Sequence, residues 1–284
     1  MVAKKLSAYA RLTRIDKPIG TLLLLWPTLT ALWFAADGKP SAYLVLAFIA
    51  GTFLMRSAGC AVNDYADREF DGAVARTKNR PMVTGEVSAK EAWVVAAVLA
   101  LLALLLIIPI NISVVLWSLP AVGVAILYPF TKRWIASPQS VLGIAFSFGI
   151  PMAYAAARGH VPLEAWALLA INWFWVMAYD TEYAMTDRAD DEKLSIGTSA
   201  KWFGRYDVLA VMVCYAIYLA GMAWFGRAKS AEITFFLGLF CAAGICVYHY
   251  FLICNRIPEK CFKAFLHNHW FGFAVFCGTA LNFL

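Results

Sequence analysis

Between Asn63 and Pro81 the chain reads NDYADREFDGAVARTKNRP, which gathers four carboxylates (Asp64, Asp67, Glu69, Asp71) and four bases (Arg68, Arg76, Lys78, Arg80) in an otherwise apolar sequence. Asn63, Asp67 and Asp71 recur at i, i+4 and i+8, so a helix continued through them stacks their oxygens on one face. Such a column repels itself unless a cation sits between the groups, and hard oxygen ligands of this kind suit Mg²⁺, which is commonly shared with substrate phosphates. Arg76 and Arg80, five and nine residues after Asp71, could then hold phosphate oxygens through their planar guanidinium forks. A solvated, salt-bridged loop between helices is the competing reading of this stretch alone.

The pattern returns from Asp180, where the chain reads DTEYAMTDRADDEK. Asp180 and Asp187 lie at i, i+7, and Asp187 and Asp191 at i, i+4. The two stretches together hold 10 of the 18 acidic residues, each at the end of an apolar span. They read as two walls of one metal-diphosphate site.

Arg56 lies inside an apolar span, seven residues before Asn63 and on the same helical face. An arginine within hydrocarbon costs at least about 2.5 kcal/mol, so it must face a cavity or a partner. It suits an anion deeper than the metal site, such as a substrate carboxylate; a buried structural pair is the alternative. The segment YPFTKRW places Tyr128, Lys132 and Arg133 at the end of another span. The two bases read as interfacial anchors, or as further charge for a diphosphate, with Tyr128 one turn earlier facing the same cavity.

The elements that must position these residues are transmembrane helices. With 62% hydrophobic and 15% charged residues in 284, the chain departs far from a soluble domain. Nine apolar stretches approach the roughly 20 residues a bilayer requires: Ile19 to Ala36, Tyr43 to Ala61, Ala92 to Ile108, Ile112 to Phe130, Val141 to Ala157, Leu163 to Met185, Val208 to Phe225, Glu232 to Ile253 and Phe265 to Phe283. Pro109 to Asn111 form a tight hairpin between the third and fourth. Residues up to about Phe130 and from Val141 to Ile253 each hold four spans with an acidic cluster after the second, a weak internal repeat; the ninth span is an addition. The whole chain, residues 1–284, reads as one membrane domain.

Most of the 24 lysines and arginines fall on the side that carries the N-terminus and both acidic stretches. The positive-inside rule puts that side in the cytoplasm and the C-terminus opposite. The net charge of +6 reflects this asymmetry; no run of bases interleaved with exposed aromatics points to nucleic acid. The seven cysteines form no CxxC pair and read as reduced packing residues. The N-terminal MVAKKLSAYARLTRIDKP is basic and amphipathic, without the apolar core of a cleaved signal, and is expected along the cytoplasmic interface. His249, His267 and His269 cluster late in the chain and read as packing or interfacial residues.

Three motifs, NDxxDxxxDxxxxRTxxRP, YPFxKR and YDTxYAMxDRxDD, resemble the UbiA superfamily of intramembrane aromatic prenyltransferases, and the third resembles its bacterial 4-hydroxybenzoate branch. The likeness runs over nearly the whole chain. Glu182 is a departure, standing where glutamine is expected. The resemblance implies an all-α membrane protein with nine transmembrane helices in a ring around a central cavity that opens sideways to lipid. It implies that Asn63, Asp67 and Asp71 bind one Mg²⁺ and Asp187 and Asp191 another, and that Arg76, Arg80 and Lys132 hold the diphosphate of a polyprenyl donor. Arg56, with Tyr128 nearby, would take the carboxylate of 4-hydroxybenzoate, whose ring is alkylated ortho to its hydroxyl, a membrane step of ubiquinone biosynthesis in a bacterial inner membrane. Asp180 or Asp187 would draw the phenol proton. The rivals are a naphthoate, haem or chlorophyll precursor as acceptor and, from another class, a cation-coupled transporter, whose site belongs near the midplane rather than at one face.

Overall fold

The computed structural model describes residues 2–69, 71–74, 76–194 and 196–284. Among them every regular element is helical: α1 (Val2–Thr13), α2 (Ile19–Ala35), α3 (Ala42–Asp67), α4 (Ala89–Ile107), α5 (Ile112–Thr131), α6 (Gln139–Ser147), α7 (Gly149–Arg158), α8 (Leu163–Asp191), α9 (Ser199–Phe203), α10 (Asp207–Ala228), α11 (Ile233–Ile253) and α12 (Pro258–Leu281), with short 3₁₀ turns at Asp71–Ala73 and Gly204–Tyr206. In hydrocarbon a helix satisfies its own backbone, which is why long apolar stretches take no other form. Six helical stretches of the described residues are long and apolar enough to cross a membrane: α3, α4, α5, α6 with α7, α9 with α10, and α11; α2 is apolar but shorter. The protein is an all-α, multi-pass membrane protein.

The helix ends follow local chemistry. Ser88 and Glu91 form a reciprocal capping box at the start of α4. Asn111 accepts from Val114 N at 3.0 Å to begin α5, while its amide nitrogen donates to Ala155 O and Ala156 O, both at 3.0 Å, closing the end of α7. Gly159 then takes the left-handed conformation, φ 74°, that a helix stop favours.

Three departures from the expected spans bear on function. The fifth span is two helices, broken between Ser147 and Gly149. Pro151 removes a backbone donor there, and α2 lies so close that a Cβ on Gly149 would come 2.2 Å from Thr28 Oγ1. The second and sixth spans run on past their apolar ends, α3 through Asn63 to Asp67 and α8 through Asp180 and Asp187 to Asp191. Because α8 continues, its acidic residues ride on a rigid element. The expected i, i+4, i+8 column is only partly realised, since α3 stops at Asp67 and Asp71 opens a separate 3₁₀ turn. That turn is folded back by Thr77 Oγ1 donating to Asp71 O at 2.8 Å.

α8 is central, packed against α6, α10 and α12, and α12 also packs along α2 and α11. Trp175, Tyr179, Tyr215 and Phe271 are fully buried where α8, α10 and α12 meet. The amphipathic N-terminus docks onto the bundle: Ala8 and Leu12 of α1 are buried against Ala58, Ala61 and Val62 of α3 and Ala92 and Ala96 of α4. Lys5 Nζ reaches Glu86 O at 2.8 Å and Glu91 Oε1 at 2.7 Å, and Arg11 pairs with Glu86. Phe283, by contrast, packs on Phe34 at the far end of α2, so the two chain termini lie at opposite ends of the bundle.

Candidate functional site

One cavity of about 1390 Å³ enters the bundle at the end where the two acidic stretches meet. Asn63, Asp67, Asp71, Arg76, Arg80, Lys132, Tyr128, Arg56, Asp187 and Asp191 all line it. Residues up to 135 positions apart in sequence thus share one space, because α3, α5 and α8 present their charged ends to it. The inner wall is apolar, formed by Gly51, Ala97, Leu104 and Val122 among others. Leu101 of α4 and Leu119 of α5 line the cavity and are largely exposed, at 59% and 66%, so its apolar wall is accessible beside these two helices.

At the polar end the carboxylates and bases neutralise one another. Lys132 Nζ lies 2.5 Å from Asp67 Oδ2, which also accepts from Asn63 Nδ2 at 3.0 Å. Arg80 bridges Asp71 Oδ2 at 2.6 Å and Asp64 Oδ1 at 3.1 Å. Arg76 forks onto Asp187, with Nε 3.2 Å from Oδ1 and NH2 on Oδ2. Asp191 is buried at the end of α8. Burial pushes the Asp71 carboxyl up to about 6, against the pull of Arg80 and with the added charges of Asp67 and Asp64. Among the described residues no three acidic, His or Cys side chains are gathered around one point.

The donor set nevertheless fits Mg²⁺. It is all oxygen, from short, largely buried carboxylates and one amide on two facing walls, and the buried Asp64 Oδ2 has no hydrogen-bond partner. Such an oxygen is costly to leave unsatisfied.

Arg56 is different from the other bases. Its guanidinium lines the cavity and has no ion-pair or hydrogen-bond partner among the described residues. It passes directly over Gly20 at the start of α2, where a Cβ would come 2.4 Å from one guanidinium nitrogen. Gly20 thus makes the space the fork occupies.

Several contributors have no signal in the sequence. Arg14, at the end of α1, reaches across 50 residues to donate to Asp64 Oδ1 at 2.7 Å and lines the cavity. Its place in the basic, amphipathic N-terminus predicts an interfacial position, because nothing local distinguishes it from Arg11. Lys201 directs all three ammonium protons to backbone carbonyls, Asp191 O and Leu194 O at 3.1 Å and Ile196 O at 2.8 Å, closing the end of α8 behind Asp191. Arg133 does not line the cavity; it donates to Ala66 O at 2.9 Å near the end of α3. His249 is buried and bonded to Tyr215 and His267, while all seven cysteines are free.

A multi-pass helical bundle whose cavity has a doubly acidic, base-lined mouth and an accessible apolar wall defines a membrane protein built for an anionic head on an apolar tail. The chain belongs to the UbiA prenyltransferase family, whose model matches residues 24–272. It is 56% identical over 283 residues to a 4-hydroxybenzoate octaprenyltransferase of Azoarcus sp. (strain BH72), covering 100% of this chain and 99% of that protein. A protein of the same description from Thiobacillus denitrificans is 57% identical, covering 100% of this chain and 97% of its own. Among solved structures, the apo form of a UbiA homolog from Aeropyrum pernix K1 has the same fold at a TM-score of 0.81 and 22% identity, covering 93% of this chain and 98% of that one. A homolog from Archaeoglobus fulgidus bound to GPP and Mg²⁺ matches at a TM-score of 0.73 and 20% identity, covering 95% and 99%.

Proposed function

We propose that this chain is a Mg²⁺-dependent 4-hydroxybenzoate polyprenyltransferase, joining a polyprenyl chain from its diphosphate to the ring carbon ortho to the hydroxyl, a membrane step of ubiquinone biosynthesis. The observation that carries the reading is the unpaired Arg56 fork beyond a mouth whose other bases already face carboxylates. One anion site of carboxylate size and one of diphosphate size share a single cavity. The relatives named for this substrate, matched over their full length, support the same acceptor.

In this reading Asn63, Asp67 and Asp71 hold one Mg²⁺, and Asp187 and Asp191 a second. The metal, when bound, supplies positive charge to the diphosphate as its allylic C–O bond breaks. Arg76, Arg80 and Lys132 leave their carboxylates to hold the diphosphate oxygens, an exchange of counter-ions with no new buried charge left alone. Arg56 orients the acceptor by its carboxylate, and Tyr128 and Asp180 line the space where the phenol lies. The apolar wall keeps water from the electron-poor allylic carbon, and an opening beside α4 and α5 lets the tail remain in lipid. The aromatic ring carbon forms the new C–C bond as the C–O bond breaks, and the ring proton then leaves to a base. Product mass spectrometry on purified membranes given Mg²⁺, 4-hydroxybenzoate and a series of prenyl diphosphates tests this. The expected product carries the prenyl group on carbon and keeps the carboxylate; no such product with any donor would overturn the reading.

The finer architecture belongs to the same proposal: a single domain, residues 1–284, of nine transmembrane helices ringed around the cavity, as two four-helix halves plus one. α2, α8 and α12 are counted as spans on this reading beside the six, and α6 with α7 as one. The N-terminus and both acidic loops face the cytoplasm of a bacterial inner membrane, and the C-terminus lies across it. Reporters inserted near Lys78 and Lys193 should be cytoplasmic, and one fused after Leu284 should lie on the other side. A cytoplasmic reporter after Leu284 would show that the number of spans is even.

A further inference from the structure

Behind the cavity, on the opposite face of α8, a second polar cluster is sealed in the bundle. Glu182, His249 and Asn268 are 0% exposed and Tyr215 1%. Among the described residues no lysine or arginine pairs with Glu182; its hydrogen-bond partners are Tyr215 Oη at 3.0 Å from Oε1 and Asn268 Nδ2 at 2.8 Å from Oε2, and His249 Nδ1 lies 3.7 Å from Oε1. An ionised carboxylate in such a place is costly.

Counting protons decides its state. Trp175 Nε1, which can only donate, lies 2.9 Å from Asn268 Oδ1, and Asn268 Nδ2 lies 3.1 Å from Ala264 O, which can only accept. These two contacts leave one orientation for the amide. Tyr215 Oη lies 2.9 Å from the same Oδ1, so its single proton must go there. The contact between Tyr215 Oη and Glu182 Oε1 then lacks a hydrogen unless the carboxyl supplies it. With Glu182 protonated every contact is satisfied: Glu182 donates to Tyr215, His249 Nδ1 donates to Tyr215 at 2.9 Å, and His249 Nε2 accepts from His267 Nδ1 at 3.1 Å. With Glu182 ionised, two acceptor oxygens face each other at 2.9 or 3.0 Å without a proton.

The cluster is joined to the diphosphate side of the cavity. Tyr183, the next residue of α8, lines the cavity with its ring 4.5 Å from that of Phe265, one turn before Asn268 on α12. On the cavity side the Arg76 guanidinium lies 4.5 Å over the same ring while it pairs with Asp187. A planar cation on an aromatic face is both attracted and oriented. We infer that Glu182 is a positioning residue held as a neutral carboxylic acid, which locks α12 to α8 and so sets the Tyr183 platform on which Arg76 is aimed. A carboxamide has the same donor and acceptor in the same shape, which accounts for Glu182 standing where glutamine is expected.

The protonation state is tested without reference to activity; the positioning role rests on the reading of Arg76 given above. The infrared difference between wild type and E182Q should contain the carbonyl stretch of a protonated carboxylic acid, and E182Q should melt with the wild type. Absence of that band, or an E182Q melting point lowered as far as that of E182L, would overturn the neutral state. In kinetics, E182L and Y183L should raise KM for the prenyl diphosphate about tenfold, the loss of one oriented charge contact. Neither should move KM for the aromatic acid, and E182Q should restore the wild-type value. Should E182L fail to insert, Y183L with E182Q still decides. Equal effects on both KM values, or a fall in kcat alone, would mean that the cluster only packs the bundle. An enzyme with no activity on these substrates would refute the proposed function and leave the infrared and melting results standing.

Discussion

Replacing Asp67, Asp71, Asp187 or Asp191 with alanine should lower turnover about a thousandfold or more, and EDTA should abolish activity that Mg²⁺ then restores. The size follows from the role: losing several kcal/mol of charge stabilisation at about 1.4 kcal/mol per decade gives roughly three decades. The ion pairs complicate a simple reading, since Asp67 and Asp71 also neutralise Lys132 and Arg80, and stranding a buried base costs about 3–5 kcal/mol of stability. Asparagine variants narrow the second effect. They keep the shape and a neutral acceptor for the base but not its counter-charge, so protein yield should exceed that of the alanine variants while the Mg²⁺ concentration for half-maximal rate rises. Full activity at ordinary Mg²⁺ in any of the four alanine variants would remove that residue from the metal site.

Arg56→Lys should raise KM for 4-hydroxybenzoate about ten- to a hundred-fold and leave KM for the prenyl diphosphate nearly unchanged. Lysine keeps the charge but loses the planar two-donor fork. A charge-assisted hydrogen bond of about 1.5–3 kcal/mol corresponds to that range. Arg56→Ala should be worse, and acceptors lacking the carboxylate should respond much less to either change. Gly20→Ala provides an independent route to the same atom. Its Cβ would sit 2.4 Å from the guanidinium, which lies at the end of a flexible chain and must swing aside. Alanine in a helix is favoured over glycine by up to about 1 kcal/mol, so this variant should be no less stable yet bind the aromatic acid more weakly. If Arg56 variants instead melt early with unchanged acceptor KM, Arg56 is a structural residue and the aromatic pocket lies elsewhere.

The sequence alone determined what depends on composition and short-range periodicity. Apolar stretches of bilayer length required helices, and the concentration of Asp67, Asp71, Asp187 and Asp191 with Arg76 and Arg80 at their ends singled out one kind of chemistry. Arg56 stood out because a charge inside an apolar run has few tolerable surroundings. Tertiary structure alone decided which groups meet. Asp71 left the α3 column because Thr77 and Arg80 fold its loop back, contacts made across six and nine residues rather than one helical turn. Arg14 and Lys201 joined the site through partners set by docking of α1 and by the chain path after α8, and neither leaves a trace in local spacing. Glu182 stands in the sequence within an acidic motif, at a position where glutamine is expected, and nothing local says which way it points. A helix turns by about 100° per residue, so two positions after Asp180 it points away from the cavity and into the bundle. There its chemistry is set by Tyr215, His249 and Asn268, side chains from three other helices that no one-dimensional pattern brings together.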